Sequence, residues 1–382
     1  MTEKAAKRGA IAPFIVMDVM RAANQSAAAG ADVLHLEVGQ PSTPAPAPVR
    51  AAARAALASD RLGYTDAFGL EPLRRRIARH YRDDHGVDVD WRRVMVTTGS
   101  SGAFVIGFLA AFDVGDRVAL ASPGYPAYRN ILAALGVEVV DLPTGPEGNF
   151  QPTPADLDAV DGALDGLIVA SPSNPTGTML RRGELEALVA YASDRGLRLV
   201  SDEIYHGITY GESAATALAF TDRAIVVNSF SKYYSMTGWR IGWMVLPESL
   251  LRSAECLAQN LFISAPTLSQ RAALVAFDCR PELDGHVARY ARNRDVLLRE
   301  LPKAGFGELA AAEGAFYLYA DVSGITDDSD ALCRRILAET GVATTPGIDF
   351  DPARGRRFVR FSFAGAAADI DEAARRLIAR RR

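Results

Sequence analysis

Between Val94 and Leu246 the chain repeatedly sets a short apolar run against an amphipathic stretch, and that alternation leaves few folds open. Val94 to Thr97, Arg117 to Ala121, Val137 to Asp141, Leu167 to Ala170, Leu197 to Ser201, Ala224 to Asn228 and Ile241 to Leu246 read as strands. Ala103 to Phe112, Tyr125 to Leu135 and Glu184 to Arg195, the last closed by Gly196, carry helical patterning. Short β-branched and aliphatic runs separated by helical segments predict βα units and a mostly parallel sheet. A sheet covered on both faces explains why Leu167-Ile-Val-Ala170 does not alternate with polar residues. In open sheets of this kind ligands bind beyond the carboxyl ends of the strands. Asn174, Asp202 and Lys232 are each expected just past such an end.

After about Leu250 the pattern changes. Leu251 to Phe277 is helical in character with a break near Ser264-Ala-Pro266, and Ala288 to Leu301 is a charged helix. Phe316 to Ala320, Ser329 to Thr340 and Arg357 to Phe363 then give strand, helix and strand. At 382 residues the chain exceeds one small core. The expected division is a large α/β domain over 46–285 and a smaller α+β domain over 286–382. An N-terminal segment, 1–45, is expected to join the smaller one.

Hydrophobic residues make up 49% of the chain and charged residues 23%, which fits an ordinary globular protein. A net charge of −4 without a long basic run argues against a nucleic-acid surface. The arginines at Arg375, Arg376 and Arg380 to Arg382 read as a solvated final helix. Ile11 to Met20 contains Pro13 and Asp18 and is too short and interrupted to span a membrane. Cys256, Cys279 and Cys333 are far apart and odd in number, so no disulfide framework or zinc ribbon is expected. No HExxH pattern occurs and no metal is expected, including at Asp83-Asp84-His85. A reducing, cytoplasmic setting fits this cysteine usage.

Lys232 is the most informative single residue. Of 42 basic residues only four are lysines (Lys4, Lys7, Lys232 and Lys303), and the remaining 38 are arginine. Arginine cannot be deprotonated in a protein, whereas lysine becomes an amine nucleophile when burial or a nearby cation lowers its pKa. An internal lysine in an arginine-preferring chain points to chemistry that needs a primary amine, with a Schiff base as the leading candidate. The structural alternative is a lysine left on a solvated loop.

Other segments add weaker signals. Asn174-Pro-Thr-Gly177 is a rigid turn that presents one amide. Asp202 ends an apolar run, either as the N-cap of the next helix or as the partner of a protonated ring nitrogen. Gly99-Ser-Ser-Gly102 is a turn opening a helix, a place where backbone N–H groups suit a phosphate. Ser229 and Arg240 flank Lys232 and could reach the same anion.

In this order, from Leu36-Glu-Val-Gly-Gln-Pro41 to Val359-Arg-Phe-Ser362, the segments resemble the class I and II aminotransferases of fold type I, which depend on pyridoxal 5'-phosphate. Five ordered motifs, centred on Ser229-x-x-Lys232 followed by Arg240, carry the resemblance. It implies that Lys232 holds the cofactor aldehyde as a Schiff base and later moves the substrate's α-proton. Asp202 would keep the pyridine nitrogen protonated, with Tyr205 and Asn174 on the ring hydroxyl oxygen. Tyr125, where some relatives have Trp, would stack on the ring. Ser100, Ser101, Ser229 and Arg240 would hold the phosphate. Tyr64, in Gly63-Tyr-Thr-Asp66, would reach the phosphate of a neighbouring subunit, which implies a homodimer. Arg360 would grip the substrate α-carboxylate with Gly39 and Asn174 near it; its structural alternative is an ordinary sheet-edge arginine. Ser173 stands where relatives often have Asn.

The activity so implied is transfer of an amino group from an α-amino acid to a 2-oxo acid with ping-pong kinetics. A lyase, decarboxylase or synthase of the same fold shares these residues and stays open. A cofactor-binding regulatory module would need a DNA-binding region, for which the roughly forty residues before the first motif leave no room. Hydrolase and nucleotide-binding signatures (G-x-S-x-G, G-x-G-x-x-G and the P-loop) are missing from the sequence. The side chain of the substrate is not legible.

Overall fold

The computed structural model describes residues 6–381; Lys4 and Arg382 lie outside the described residues. A two-residue strand, β1 (Leu34–His35), precedes a seven-stranded sheet. The strands of that sheet are β2 (Val94–Thr97), β3 (Arg117–Ser122), β4 (Glu138–Pro143), β5 (Gly166–Ala170), β6 (Arg198–Asp202), β7 (Ile225–Ser229) and β8 (Gly242–Val245). Their order is β2-β8-β7-β6-β5-β3-β4. β4, β3, β5, β6 and β7 run parallel, and β8 is antiparallel to both of its neighbours. The expected α/β architecture with a mostly parallel central sheet is therefore present.

Strand periodicity explains the unbroken apolar runs. In β5 to β8, Leu167, Val169, Leu199, Val226, Trp243 and Val245 enter one core. Ile168, Val200, Ile225, Val227 and Met244 enter another on the opposite face. Alternate residues face opposite sides of a sheet, so two covered faces require apolar side chains at every position. Each such side chain contributes roughly 1.5–3 kcal/mol by leaving water.

A second sheet holds β9 (Tyr317–Asp321), β11 (Thr345–Pro346) and β12 (Phe358–Ser362) in the antiparallel order β11-β12-β9, while β10 (Val342–Ala343) pairs in parallel with β1. The helices Arg280–Glu300, Ser329–Thr340 and Ala367–Arg381 belong to this part. A separate core joins Leu34 and Leu36 to Leu318, Phe361, Ile336 and Ile370. Tyr205 and Ile208, which follow β6, are buried in that same core and tie the two sheets together.

Three local expectations need correction. Gly99 to Gly102 is not a free turn but the first turn of the helix Gly99–Ala111. Gly99 takes φ +68° there, a conformation glycine reaches without a steric penalty. The helix expected from Ala288 starts at Arg280, because Pro281 occupies a first-turn position where no N–H is needed. Asp202 is the last residue of β6 rather than a residue beyond it.

Candidate active site

The carboxyl ends of the parallel strands converge on one cavity. Its walls include Gly39, Ser100, Ser101, Tyr125, Asn174, Asp202, Tyr205, Lys232, Arg240 and Arg360. Ten of the twelve residues singled out from sequence thus come together. Asp202 arrives from the end of β6, Lys232 from the loop after β7, Tyr125 from the loop after β3 and Asn174 from the loop after β5. Arg360 reaches the cavity from β12 of the other sheet.

The two sequence-chosen residues that do not line it are Ser229 and Tyr64. Ser229 lies fully buried behind it, donating to the Ile241 carbonyl (3.1 Å) and accepting from the Ser231 N–H (3.1 Å). Ser231 and Thr237 line the cavity instead. Tyr64 is 83% exposed and does not line its own chain's cavity.

At one end, Arg240 lies against the start of the helix Gly99–Ala111. A Cβ on Gly99 would sit 2.6 Å from Arg240 Nη2, so only glycine permits this approach. Arg240 Nη1 donates to the Thr237 carbonyl at 3.0 Å. A guanidinium, two serines and a helix N-terminus form a cradle suited to a phosphate.

At the other end is Asp202. The Tyr128 hydroxyl donates to its Oδ2, and its Oδ1 accepts from the Ile204 N–H at 3.0 Å. Burial pushes its carboxyl up to about 6, against the downward pull of the Tyr128 and Ile204 hydrogen bonds and of Lys232. The next residue, Glu203, turns to the opposite face of the chain. Its Oε1 accepts from Ser201, Thr216 and the Ala217 N–H, and burial raises it to about 8. Asp202 therefore brings the negative charge to this end of the cavity.

Lys232 lies between the two ends. Its Nζ donates to the Gly39 carbonyl at 2.7 Å and stands 6.0 Å from the Tyr205 ring centre. Burial first, then Arg360 and Arg240, lower its pKa from 10.5 to about 8, with Asp202 opposing. Gly39 has to be glycine, since a Cβ would fall 1.7 Å from Tyr317 Oη. That hydroxyl lies 2.7 Å from the hydroxyl of Tyr205.

Arg360 is buried and strongly held. Nη1 donates to Asn174 Oδ1 at 2.8 Å, Nη2 donates to the Glu37 carbonyl, and the guanidinium packs over Tyr317 and Phe350. Its Nε has no partner. An unpartnered buried N–H on a planar guanidinium fits an incoming carboxylate.

The donor set fits pyridoxal 5'-phosphate: an anion cradle, an aromatic wall at Tyr125, an amine of lowered pKa and a buried carboxylate stand around one cavity. Sequence reasoning missed Tyr128 and Tyr317. Tyr128 follows Tyr125 by three residues, a helical spacing that could have placed it on the same face. Tyr317 lies in an apolar strand with no local signal.

A family model for aminotransferases of class I and II matches residues 31–377. The valine–pyruvate aminotransferase of Mycobacterium tuberculosis is 53% identical over 381 residues, which is 99% of this chain and 98% of that one. The aspartate aminotransferase of Thermotoga maritima is 35% identical over 360 residues, 91% of each chain. Among solved structures, an aminotransferase from M. tuberculosis superposes with a TM-score of 0.97 at 52% identity, covering 99% of both chains. The aspartate aminotransferase of Thermus thermophilus with maleate superposes with a TM-score of 0.93 at 31% identity, covering 99% of this chain and 100% of that one.

Proposed function

This chain belongs to the class I and II aminotransferases, and on that premise we propose that Lys232, Asp202, Arg240 and Arg360 divide the work of amino-group transfer among them. The family's cofactor, pyridoxal 5'-phosphate, supplies an aldehyde for amine exchange and a ring that withdraws electrons from the substrate α-carbon. Arg240, Ser100, Ser101 and the helix N-terminus hold its phosphate, with Ser231 and Thr237 beside them and Ser229 bracing the Lys232 loop. Tyr125 provides the stacking face. Asp202 would keep a proton on the ring nitrogen, and Tyr205 and Asn174 would serve the ring hydroxyl oxygen. The Arg360 guanidinium receives the substrate carboxylate. Lys232 Nζ, neutral above about pH 8, takes the α-proton and returns it. Donor and acceptor use one pocket in turn, which makes the kinetics ping-pong.

The observation that carries this reading is the joint placement of Lys232, Asp202 and Arg360 around one cavity. The test is Lys232→Arg in the cofactor-loaded enzyme. Arginine keeps the charge but lacks a free amine, so the absorbance of the enzyme-bound cofactor should change and transamination should be lost. Retained turnover would overturn the assignment. Exchange of the amino group between an amino acid and a 2-oxo acid separates this activity from a lyase or decarboxylase.

Three further readings belong with it. The chain is divided at about residues 45 and 285 into an N-terminal segment, a large domain and a small one, in keeping with the separate cores of the two sheets. It works as a homodimer in which Tyr64 completes the neighbour's phosphate site. In support, the Tyr64 loop is bonded to the 264–267 segment, through Ser264 and Thr267, beside the exposed Leu261, Phe262 and Ile263. The enzyme serves amino acid metabolism in the cytoplasm; among the described residues no helix is long and apolar enough to cross a membrane.

A further inference from the structure

We propose that Glu203 and His206 hold one proton between them as an uncharged pair, the carboxyl donating to the imidazole, and that this pair positions Asp202, Tyr205 and the Asn174 turn. Glu203 directly follows Asp202 and His206 directly follows Tyr205, and neither lines the cavity. The service to Asp202 rests on the aminotransferase reading; the place of the proton does not. Both side chains are buried within one chain, so a second copy adds no partner to either.

The hydrogen bonds around the pair decide where the proton sits. Glu203 Oε1 accepts from the Ser201 hydroxyl (3.1 Å), the Thr216 hydroxyl (3.0 Å) and the Ala217 N–H (2.9 Å). Oε2 has no donor. His206 Nε2 lies 3.1 Å from the Ser171 carbonyl, which can only accept, so Nε2 carries the imidazole hydrogen. Nδ1 is then a bare lone pair, and it too is buried without a partner. These two orphaned atoms, Oε2 and Nδ1, stand 3.6 Å apart, slightly more than a hydrogen bond. A proton on Oε2 gives each the partner it lacks once a small rotation of either side chain closes the gap. With no proton there, two buried lone pairs would oppose one another. With the proton moved to Nδ1, two charges would be buried in place of none.

The surroundings favour the uncharged form. His85 and His80, on the helix Glu71–His85, stand on the imidazole side: the His85 ring centre is 5.3 Å from that of His206 and 5.9 Å from that of His80. Burial first, then His85 and His80, hold His206 well below the ordinary histidine range, with the Ser171 carbonyl opposing. Asp84 of the same helix is taken up by His80 (3.3 Å) and Arg280 (2.8 Å), and Tyr81 interacts with Glu203. On the carboxyl side, burial outweighs the three donors on Oε1, and the neighbouring Asp202 charge adds to it. Ser171, Ser201, Thr216 and Ala217 bring only uncharged groups. Lys232 acts on Asp202 from the cavity side. An uncharged Glu203 leaves Asp202 as the only charge of the two adjacent carboxyls. The carboxyl proton also fixes the Nε2–H tautomer, which ties His206 to Ser171 at the head of the turn that presents Asn174.

The test is Glu203→Gln. The amide keeps a carbonyl oxygen for Ser201, Thr216 and Ala217, sets an N–H opposite His206 Nδ1 and has no proton to lose. Denaturant unfolding of the cofactor-loaded variant is compared with that of the parent at equal protein concentration across pH. Folding raises the Glu203 carboxyl from 4.5 to about 8, so the parent loses stability as pH climbs through that interval while the variant is spared. The parent's unfolding constant should grow about fiftyfold relative to the variant's between about pH 5 and about pH 7. A flat ratio, or a variant weakened at every pH, marks an ionised Glu203 and overturns the proposal. Nitrogen-15 NMR at neutral pH should show a neutral His206 with its hydrogen on Nε2; a cationic ring contradicts the pair. The acidic limb of the half-reaction should stay within about 0.3 pH unit in Glu203→Gln, whereas a downward shift would mean that a like charge beside Asp202 had been removed. Glu203→Ala strands three donors and the imidazole, so single-turnover amine exchange should fall at least about tenfold, with Glu203→Gln within about threefold of the parent. Equal losses in the two variants, or none in Glu203→Ala, remove the positioning role; if Glu203→Ala does not fold, Glu203→Gln alone decides. Unfolding and NMR need no turnover, so an inactive parent sinks the aminotransferase reading and leaves the pair standing.

Discussion

Tyr128 donates its phenolic hydrogen to Oδ2 of Asp202, and both residues are buried. The helix Pro126–Leu135 and the end of β6 are thereby joined at the charged floor of the site. The bond stabilises the carboxylate against the burial that pushes it towards its acid form.

Tyr128→Phe keeps the ring and removes the donor. The Asp202 carboxyl should then move above its present value of about 6. Less of it is ionised at neutral pH, so the proton-transfer step should slow about tenfold, consistent with a charged hydrogen bond of about 1.5–3 kcal/mol. Stopped-flow half-reactions across pH give the check: the acidic limb shifts upward. An unmoved limb with an unchanged rate would show that the bond has no part in setting the charge.

Gly99→Ala tests the phosphate cradle. A methyl group would meet Arg240 Nη2 at 2.6 Å from a residue at φ +68°, so the guanidinium has to leave its place. Cofactor affinity should fall at least about tenfold while the fold persists, since a strained non-glycine residue costs on the order of 1–3 kcal/mol. Titration of cofactor-free protein followed by circular dichroism separates the two effects.

Arg360→Lys keeps the charge and discards the planar fork. The substrate carboxylate should lose its guanidinium donor, and the ties to Asn174 and Glu37 should weaken. A fall of about a hundredfold in kcat/KM, carried mainly by KM, is expected, with cofactor affinity little changed. Steady-state kinetics on one good donor is sufficient.

The pH dependence of stability has a definite sign in cofactor-free protein. Lys232 titrates near 8 when folded against 10.5 in the open chain. Between those values the unfolded chain binds the extra proton, so stability rises with pH through this window. Below about 8 the penalty is present in full. Asp202 acts oppositely: folding raises it from 3.8 to about 6, so its contribution falls as pH climbs through that interval. Lys232→Met should therefore stabilise the cofactor-free protein at pH 7 by at most about 3 kcal/mol, the limit set by the shift itself. The gain should shrink towards pH 10. Denaturant unfolding at the two pH values reads both, and a loss of stability at pH 7 would contradict the sign.

Much of this protein is legible locally. The strand at Val94–Thr97 and the helix at Ser329–Thr340 coincide with their sequence-based bounds, because their apolar spacing matches one period and not the other. The helix Arg280–Glu300 begins well before its expected start at Ala288, since a first-turn proline at Pro281 suits a helix. Ser229, expected at the anion, ends β7 with its hydroxyl committed to the Ile241 carbonyl and the Ser231 hydroxyl, whereas Ser231, beyond the strand, lines the cavity.

The sequence alone determined the α/β sheet, the amine at Lys232 and the family, since these depend on periodicity and on the order of short motifs. The tertiary structure decided which groups meet without being near in the chain: Tyr128 with Asp202, Tyr317 with Tyr205, and Asp349 with the segment that bears Phe14 and Val16. Burial, charge and wall chemistry arise from those meetings, because desolvation and hydrogen bonding depend on distance in space. Local patterns carry no record of it.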